Sequence, residues 1–134
     1  MAQLETVEGI AGVYAAKLRA SGVRTTGALL EMGATARGRQ EIETKSGISH
    51  KLILKWVNQC DLCRIRGVGR DYAELLEVSG VDTVPELAQR KAEALRTRMA
   101  EANTRRRCVR QLPALKAVER WIQQAKSLPR VVKY

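Results

Sequence analysis

Apolar positions along the chain recur at helical spacing, and no stretch shows the alternation expected of a half-buried strand. Between residues 50 and 63, Leu52, Ile53, Trp56, Val57 and Cys60 fall on one helical face at i, i+1, i+4, i+5 and i+8. Val118, Trp121, Ile122 and Ala125 repeat that stripe further on. Ser49 is placed to cap the first of these helices, and Pro113 suits the first turn of the second. Ser21-Gly22-Val23, Ser46-Gly47-Ile48 and Ser79-Gly80-Val81 each put a glycine just past a helix end, followed by an apolar residue, which is the pattern of a Schellman closure. Thr83-Val84-Pro85-Glu86 reads as a capping box with proline in the first turn. The fold class is all-α.

The chain contains a repeat. Residues 4–30 and 62–88 align without gaps at an offset of 58, with ten identities in 27 positions, among them Gly9/Gly67, Tyr14/Tyr72, Gly22/Gly80 and Leu29/Leu87. Similarity resumes at an offset of 65, where residues 56–60 match residues 121–125. Two units of about 60 residues follow, 1–61 and 62–127, with 128–134 as a C-terminal tail. Each unit is expected to hold four or five short helices. Units this small bury little surface alone, so the two are expected to pack on each other.

The centre of each repeat reads as a short helix, a tight glycine turn and a second helix. In the second unit it is Ile65-Arg66-Gly67-Val68-Gly69-Arg70, leading into Tyr72-Ala73-Glu74-Leu75-Leu76. In the first it is Val7-Glu8-Gly9-Ile10-Ala11-Gly12, leading into Tyr14-Ala15-Ala16-Lys17-Leu18. Hydrophobic-x-Gly-hydrophobic-Gly before a helix with spaced Ala and Leu and a closing Gly resembles the helix-hairpin-helix motif of bacterial DNA ligases, β-type DNA polymerases and Holliday-junction binding proteins. The C-terminal domain of the bacterial RNA polymerase α subunit is similar. Nearly the whole chain also resembles a bacterial family of tandem helix-hairpin-helix domains without an assigned function. The resemblance implies two SAM-domain-like units in a pseudo-twofold repeat, and binding of double-stranded DNA through its backbone without reading sequence.

The chemistry of such a turn stands apart from the resemblance. Glycine allows positive φ and close approach to another surface. The turn amides and the N-terminus of the next helix then converge on one anion, and flanking arginines add charge. Such contacts position a phosphate and leave base identity unread. The second turn carries Gly67, Val68 and Gly69 with Arg64, Arg66 and Arg70. The first has Gly9, replaces the second glycine by Ala11 although Gly12 follows, and carries Glu8 where the second has Arg66. The second is therefore expected to be the stronger phosphate site. Asp71 lies close to that site and counts against it.

Charge follows the same asymmetry. The chain holds 24 Lys and Arg against 14 Asp and Glu, a net +10, with +2 (eight less six) in residues 1–61 and +8 (sixteen less eight) in 62–134. A basic balance of this size points to a polyanionic partner. Arg105, Arg106, Arg107 and Arg110 lie in a stretch, 90–110, that nets +6 (eight less two), and they are candidates for extending the phosphate track. Double-stranded DNA is the expected partner. The alternative is an adaptor that docks an acidic protein on the same basic face.

Other chemistry has little support. Cys60-Asp61-Leu62-Cys63 is a C-x-x-C, and with Cys108 and His50 it would formally supply four zinc ligands, but Cys60 lies on a core stripe and no second C-x-x-C exists. No metal and no cofactor is expected. His50 is the single histidine and belongs in a helix first turn; no nucleophile–base set can be built around it. No Walker A lysine follows either turn, and acidic pairs such as Glu41/Glu43 and Glu74/Glu77 read as surface charges. A non-enzymatic protein with no small-molecule substrate follows. Trp56/Trp121 and Tyr14/Tyr72 sit at equivalent places, which argues for core packing over base stacking. No membrane span and no secretory signal is read, so the expected location is the cytoplasm, or the nucleoid if the protein binds DNA.

Overall fold

The computed structural model describes residues 2–134. Among the described residues the regular structure is helical, apart from one isolated bridge between Gln3 and Thr25. A 3-10 turn, Leu4–Thr6, precedes α1 (Gly12–Ala20), α2 (Thr26–Met32), α3 (Ala36–Ser46) and α4 (His50–Leu62). Then come α5 (Arg70–Val78), α6 (Val84–Ala88), α7 (Ala92–Arg105) and α8 (Leu115–Ser127). The chain divides into two compact units. One comprises the residues up to Asp61 together with Val131–Tyr134; the other is Leu62–Arg130. No described helix is long and apolar enough to cross a membrane.

Each unit has its own apolar cluster. In the first, Leu4, Leu18, Leu29, Ile42, Ile53, Trp56 and Val57 are buried. In the second, Leu75, Leu76, Leu87, Leu95, Met99, Val118 and Trp121 are buried. The stripes on α4 and α8 thus face cores, with only Leu52 partly exposed. The tyrosines pack against the tryptophans of their own units, Tyr14 edge-on to Trp56 at 5.1 Å between centroids and Tyr72 tilted on Trp121 at 5.2 Å.

Helix ends follow local chemistry. Val23 donates to the carbonyl of Leu18 and Gly22 to that of Arg19, and Val81 and Gly80 do the same with Leu76 and Glu77. Both are full Schellman closures on glycines at φ near +90° (Gly22 90°, Gly80 95°). Thr25 and Thr35 cap α2 and α3 through their hydroxyls, and Ser49 accepts from the Leu52 amide.

Four details differ from the sequence expectation. Gly47 is left-handed, but Ile48 donates to the Ser46 hydroxyl, which competes locally for the amide. Glu86 accepts from the amide of Asp82, one residue before the position a capping box requires, and the Thr83 side chain makes no cap. Pro113 lies before the first turn of α8: its carbonyl accepts from Arg96 Nε at 2.9 Å, so the segment is tied to α7 and the helix starts at Leu115. Glu74 is not a surface charge; its side chain is 9% exposed and pairs with Arg106.

The C-terminal residues belong to the first unit through Arg39. This side chain, 1% exposed, donates to the carbonyls of Gly33 (2.8 Å) and Lys133 (2.9 Å). Lys133 in turn donates to Ala34, and Val132 joins the core. Burial pushes the guanidinium pKa down, and the two carbonyls hold it in place. Arg39→Met keeps the length and removes the donors, leaving two carbonyls without them. A loss of about 1–2 kcal/mol is expected in denaturant unfolding, and an unchanged midpoint would show that the clasp contributes nothing.

Candidate functional site

The second glycine turn is built on Trp121. Ile65 donates to Leu62 and Val68 to Ile65, so the chain turns twice immediately after α4. No separate short helix precedes this turn. Gly67 sits at φ +91°, and a Cβ there would come within 3.1 Å of Trp121 Nε1. Its identity is therefore accounted for by the fold itself, both by backbone conformation and by the tryptophan beneath it. Gln124 then fastens the turn from α8: its Oε1 accepts from the Arg66 amide at 2.9 Å, and its Nε2 donates to the Arg66 carbonyl at 3.4 Å.

Gly69 is a different case. It is the N-cap of α5 at φ −101° and ψ −165°, a conformation open to any residue. A Cβ there would meet nothing within 4 Å. Nothing inside the chain requires a glycine at this place. Its counterpart in the first unit, Ala11, holds nearly the same backbone (φ −116°, ψ −175°) with a Cβ present. Neither cap residue offers a side-chain oxygen to the following helix, so the first amides of α1 and α5 are uncapped from within their own N-cap residue. Gly67, Gly69, Arg66 and Arg70 are exposed, and Val68 is buried beneath them. Asp71 is also exposed, in the first turn of α5, where the helix dipole favours it.

The arginines picked out in the sequence divide into two groups. Arg64 donates to the carbonyl of Pro129 at 2.9 Å. Arg106 pairs with Glu74, one turn along α5 from Arg70. Asn103 shapes this loop, accepting from Cys108 and Val109 and donating to the Val109 carbonyl. The Arg106 pair thus brings the basic loop alongside the helix that the second turn opens. Arg105, Arg107 and Arg110 are exposed on and after the end of α7.

The first turn repeats the geometry without the charge. Gly9 has φ +93°, and a Cβ there would lie 3.2 Å from Trp56 Nε1. Gly12 is the first residue of α1, exposed and unhindered. Around it stand Glu8 and Val13, the latter 70% exposed. Arg19 forks onto Glu5 at 2.7 and 3.0 Å, and this hydrogen bonding holds the Glu5 carboxyl below its usual pKa. The arginine's charge is thereby compensated within the unit.

Sequence reasoning passed over two residues beside the second turn, Arg120 and Gln124. Gln124 carried a signal: Gln59 and Gln124 are the same residue at matched places of the repeat, each just before the last residue of its apolar stripe. Of the cysteines, Cys60 is buried, Cys108 is partly buried and Cys63 is exposed. Among the described residues no three of His, Cys, Asp and Glu gather as metal ligands.

A family model described as a domain of unknown function, DUF4332, matches residues 8–128. No curated protein and no solved structure matches the chain.

Proposed function

The chain belongs to the DUF4332 family, whose description assigns no activity, and from the second glycine turn we propose a non-catalytic role in sequence-nonspecific binding of double-stranded DNA. In this reading each unit is a helix-hairpin-helix of the SAM-domain-like kind, and the second hairpin is the principal contact. A backbone phosphate sits against Gly69 and the first amides of α5, with Arg66 and Arg70 supplying charge. Arg105, Arg107 and Arg110 extend the basic surface, while Arg64 and Arg106 serve to hold the hairpin and its neighbouring loop in shape. The first hairpin, with Ala11 and Glu8, is the weaker contact through Gly9 and Gly12.

The observation that carries this reading is the unexplained glycine. Gly67 is required by the fold; Gly69 is not, yet it stands exposed at the helix start where a side chain would obstruct an approaching backbone. The basic loop tied to α5 through Arg106 supports it. So does the shielding of both tryptophans, which leaves no open indole platform for unpaired bases.

Fluorescence anisotropy with a labelled duplex of about 30 base pairs and its single strand, over a range of salt, tests the proposal. The expected result is duplex preference with a log–log salt slope equivalent to about three to six neutralised phosphates. Absence of binding at low salt would overturn it and leave the adaptor reading, in which an acidic protein takes the same basic surface.

A further inference from the structure

Two adjoining depressions in the second unit share three residues, Arg66, Arg120 and Gln124. The first, about 630 Å³, reaches from Gly67 and Tyr72 to Pro113. The second, about 570 Å³, continues to Gln123 and Ser127. Together they form one groove along α8. Arg120, Gln123, Gln124 and Ser127 fall at i, i+3, i+4 and i+7, so a single helical face makes its floor. We propose that this groove carries the sugar–phosphate backbone of the DNA strand held at the second hairpin, with Arg120 as a phosphate-contacting residue.

The groove's chemistry selects that occupant. No carboxylate lines either depression, and two guanidiniums do. The other groups on the floor beyond the hairpin are uncharged: the Gln123 amide, suited to sugar and phosphate oxygens, the Gln124 amide that holds Arg66, and the Ser127 hydroxyl, which donates to the Gln124 carbonyl at 2.9 Å. Trp121 beneath is only 4% exposed and Tyr72 is packed on it, so the groove offers no free aromatic face to a stacked base. An acidic peptide would match the charge alone. A backbone with a negative charge at each nucleotide also matches the two guanidiniums, Arg66 and Arg120, with the exposed amide of Gln123 beside them. The site is preorganised, because Gln124 is already engaged with both the amide and the carbonyl of Arg66. Arg66 is thereby shared between the hairpin and the groove.

The inference rests on the DNA-binding reading, and the experiment separates the two. Duplex anisotropy is measured over salt for the wild type, Arg120→Ala, Gly69→Asp and Arg37→Ala, the last a charge control on an exposed arginine of the first unit. Arg120→Ala is expected to weaken binding about three- to tenfold and to reduce the salt slope by about one, the signature of one lost phosphate contact. Arg37→Ala is expected to change neither by as much. Loss in Gly69→Asp with an unchanged Arg120→Ala overturns the groove and keeps the hairpin. Loss in Arg120→Ala with an unchanged Gly69→Asp keeps the groove and removes the hairpin. Equal loss in Arg120→Ala and Arg37→Ala overturns the groove in favour of diffuse attraction. No duplex binding by the wild type overturns both. Melting curves for each variant establish that it is folded; Arg120 is exposed, and its truncation leaves the core untouched.

Discussion

Gly69→Asp is expected to lower duplex affinity by more than about tenfold, a change of about 1.4 kcal/mol, while leaving the melting temperature unchanged or slightly raised. The two effects separate because of where Gly69 stands. It is the N-cap of α5, its backbone is in the extended region, and space around its Cβ is open. Aspartate is among the preferred N-cap residues, and its carboxylate can accept from the amides of Asp71 and Tyr72 and favour the helix dipole, for a gain over glycine of a few tenths of a kcal/mol. The same carboxylate fills the position proposed for the phosphate and repels it. A folded protein with lost binding is therefore the outcome the mechanism requires. Gly69→Ala makes the graded comparison: it adds only the Cβ that Ala11 already carries in the first unit, and a smaller loss is expected. Circular dichroism melts and anisotropy on the same samples decide the matter, and unchanged duplex binding by Gly69→Asp would remove the hairpin from the mechanism.

Gly38→Ala is expected to destabilise the first unit by about 3 kcal/mol or more, against the usual direction for such a change. Gly38 lies in the first turn of α3, at ordinary helical dihedrals, and glycine-to-alanine within a helix normally gains about 0.5–1 kcal/mol. Here a Cβ would fall far inside the van der Waals contact distance to the Met32 carbonyl oxygen at the end of α2. That obstacle is backbone and cannot swing aside. Relief would require the α2–α3 connection to move. Gly33, Ala34 and Thr35 in that connection carry the Arg39 contact, the Lys133 contact and the cap of α3. Urea unfolding of wild type and variant measures the difference, and a stabilised variant would show that the two helices separate freely.

The two mutations mark how far sequence reading extends. Elements whose determinants lie within one turn were legible. The closures at Gly22 and Gly80 and the cap at Ser49 depend on neighbours in the chain, and the stripes on α4 and α8 depend on a period that any helix imposes. Equivalent placement in the repeat was enough to put both tryptophans in cores, since the same residue at the same step of a helix meets the same packing. Misreadings arose where a distant partner intervened. Glu74 looked solvated because Arg106, 32 residues further on (106 less 74), is invisible from its own helix. Pro113 looked like a helix start because the pull of Arg96 on its carbonyl comes from α7.

The candidate site shows the same division. The glycine pattern, the asymmetry between the turns and the excess of arginine were all read from residue types alone. Which glycine the fold needs and which it leaves open was decided by a tryptophan 54 positions away (121 less 67) and by empty space beside Gly69. Which arginines are held by internal partners, and that Arg120 rather than Arg106 borders a groove with Arg66, was likewise decided by packing. By itself the sequence determined an all-helical chain with two related glycine turns, because backbone conformation and helix capping are set by short-range sterics and hydrogen bonds. Burial, charge pairing and close approach bring together residues far apart in the chain, and those only the tertiary structure decided.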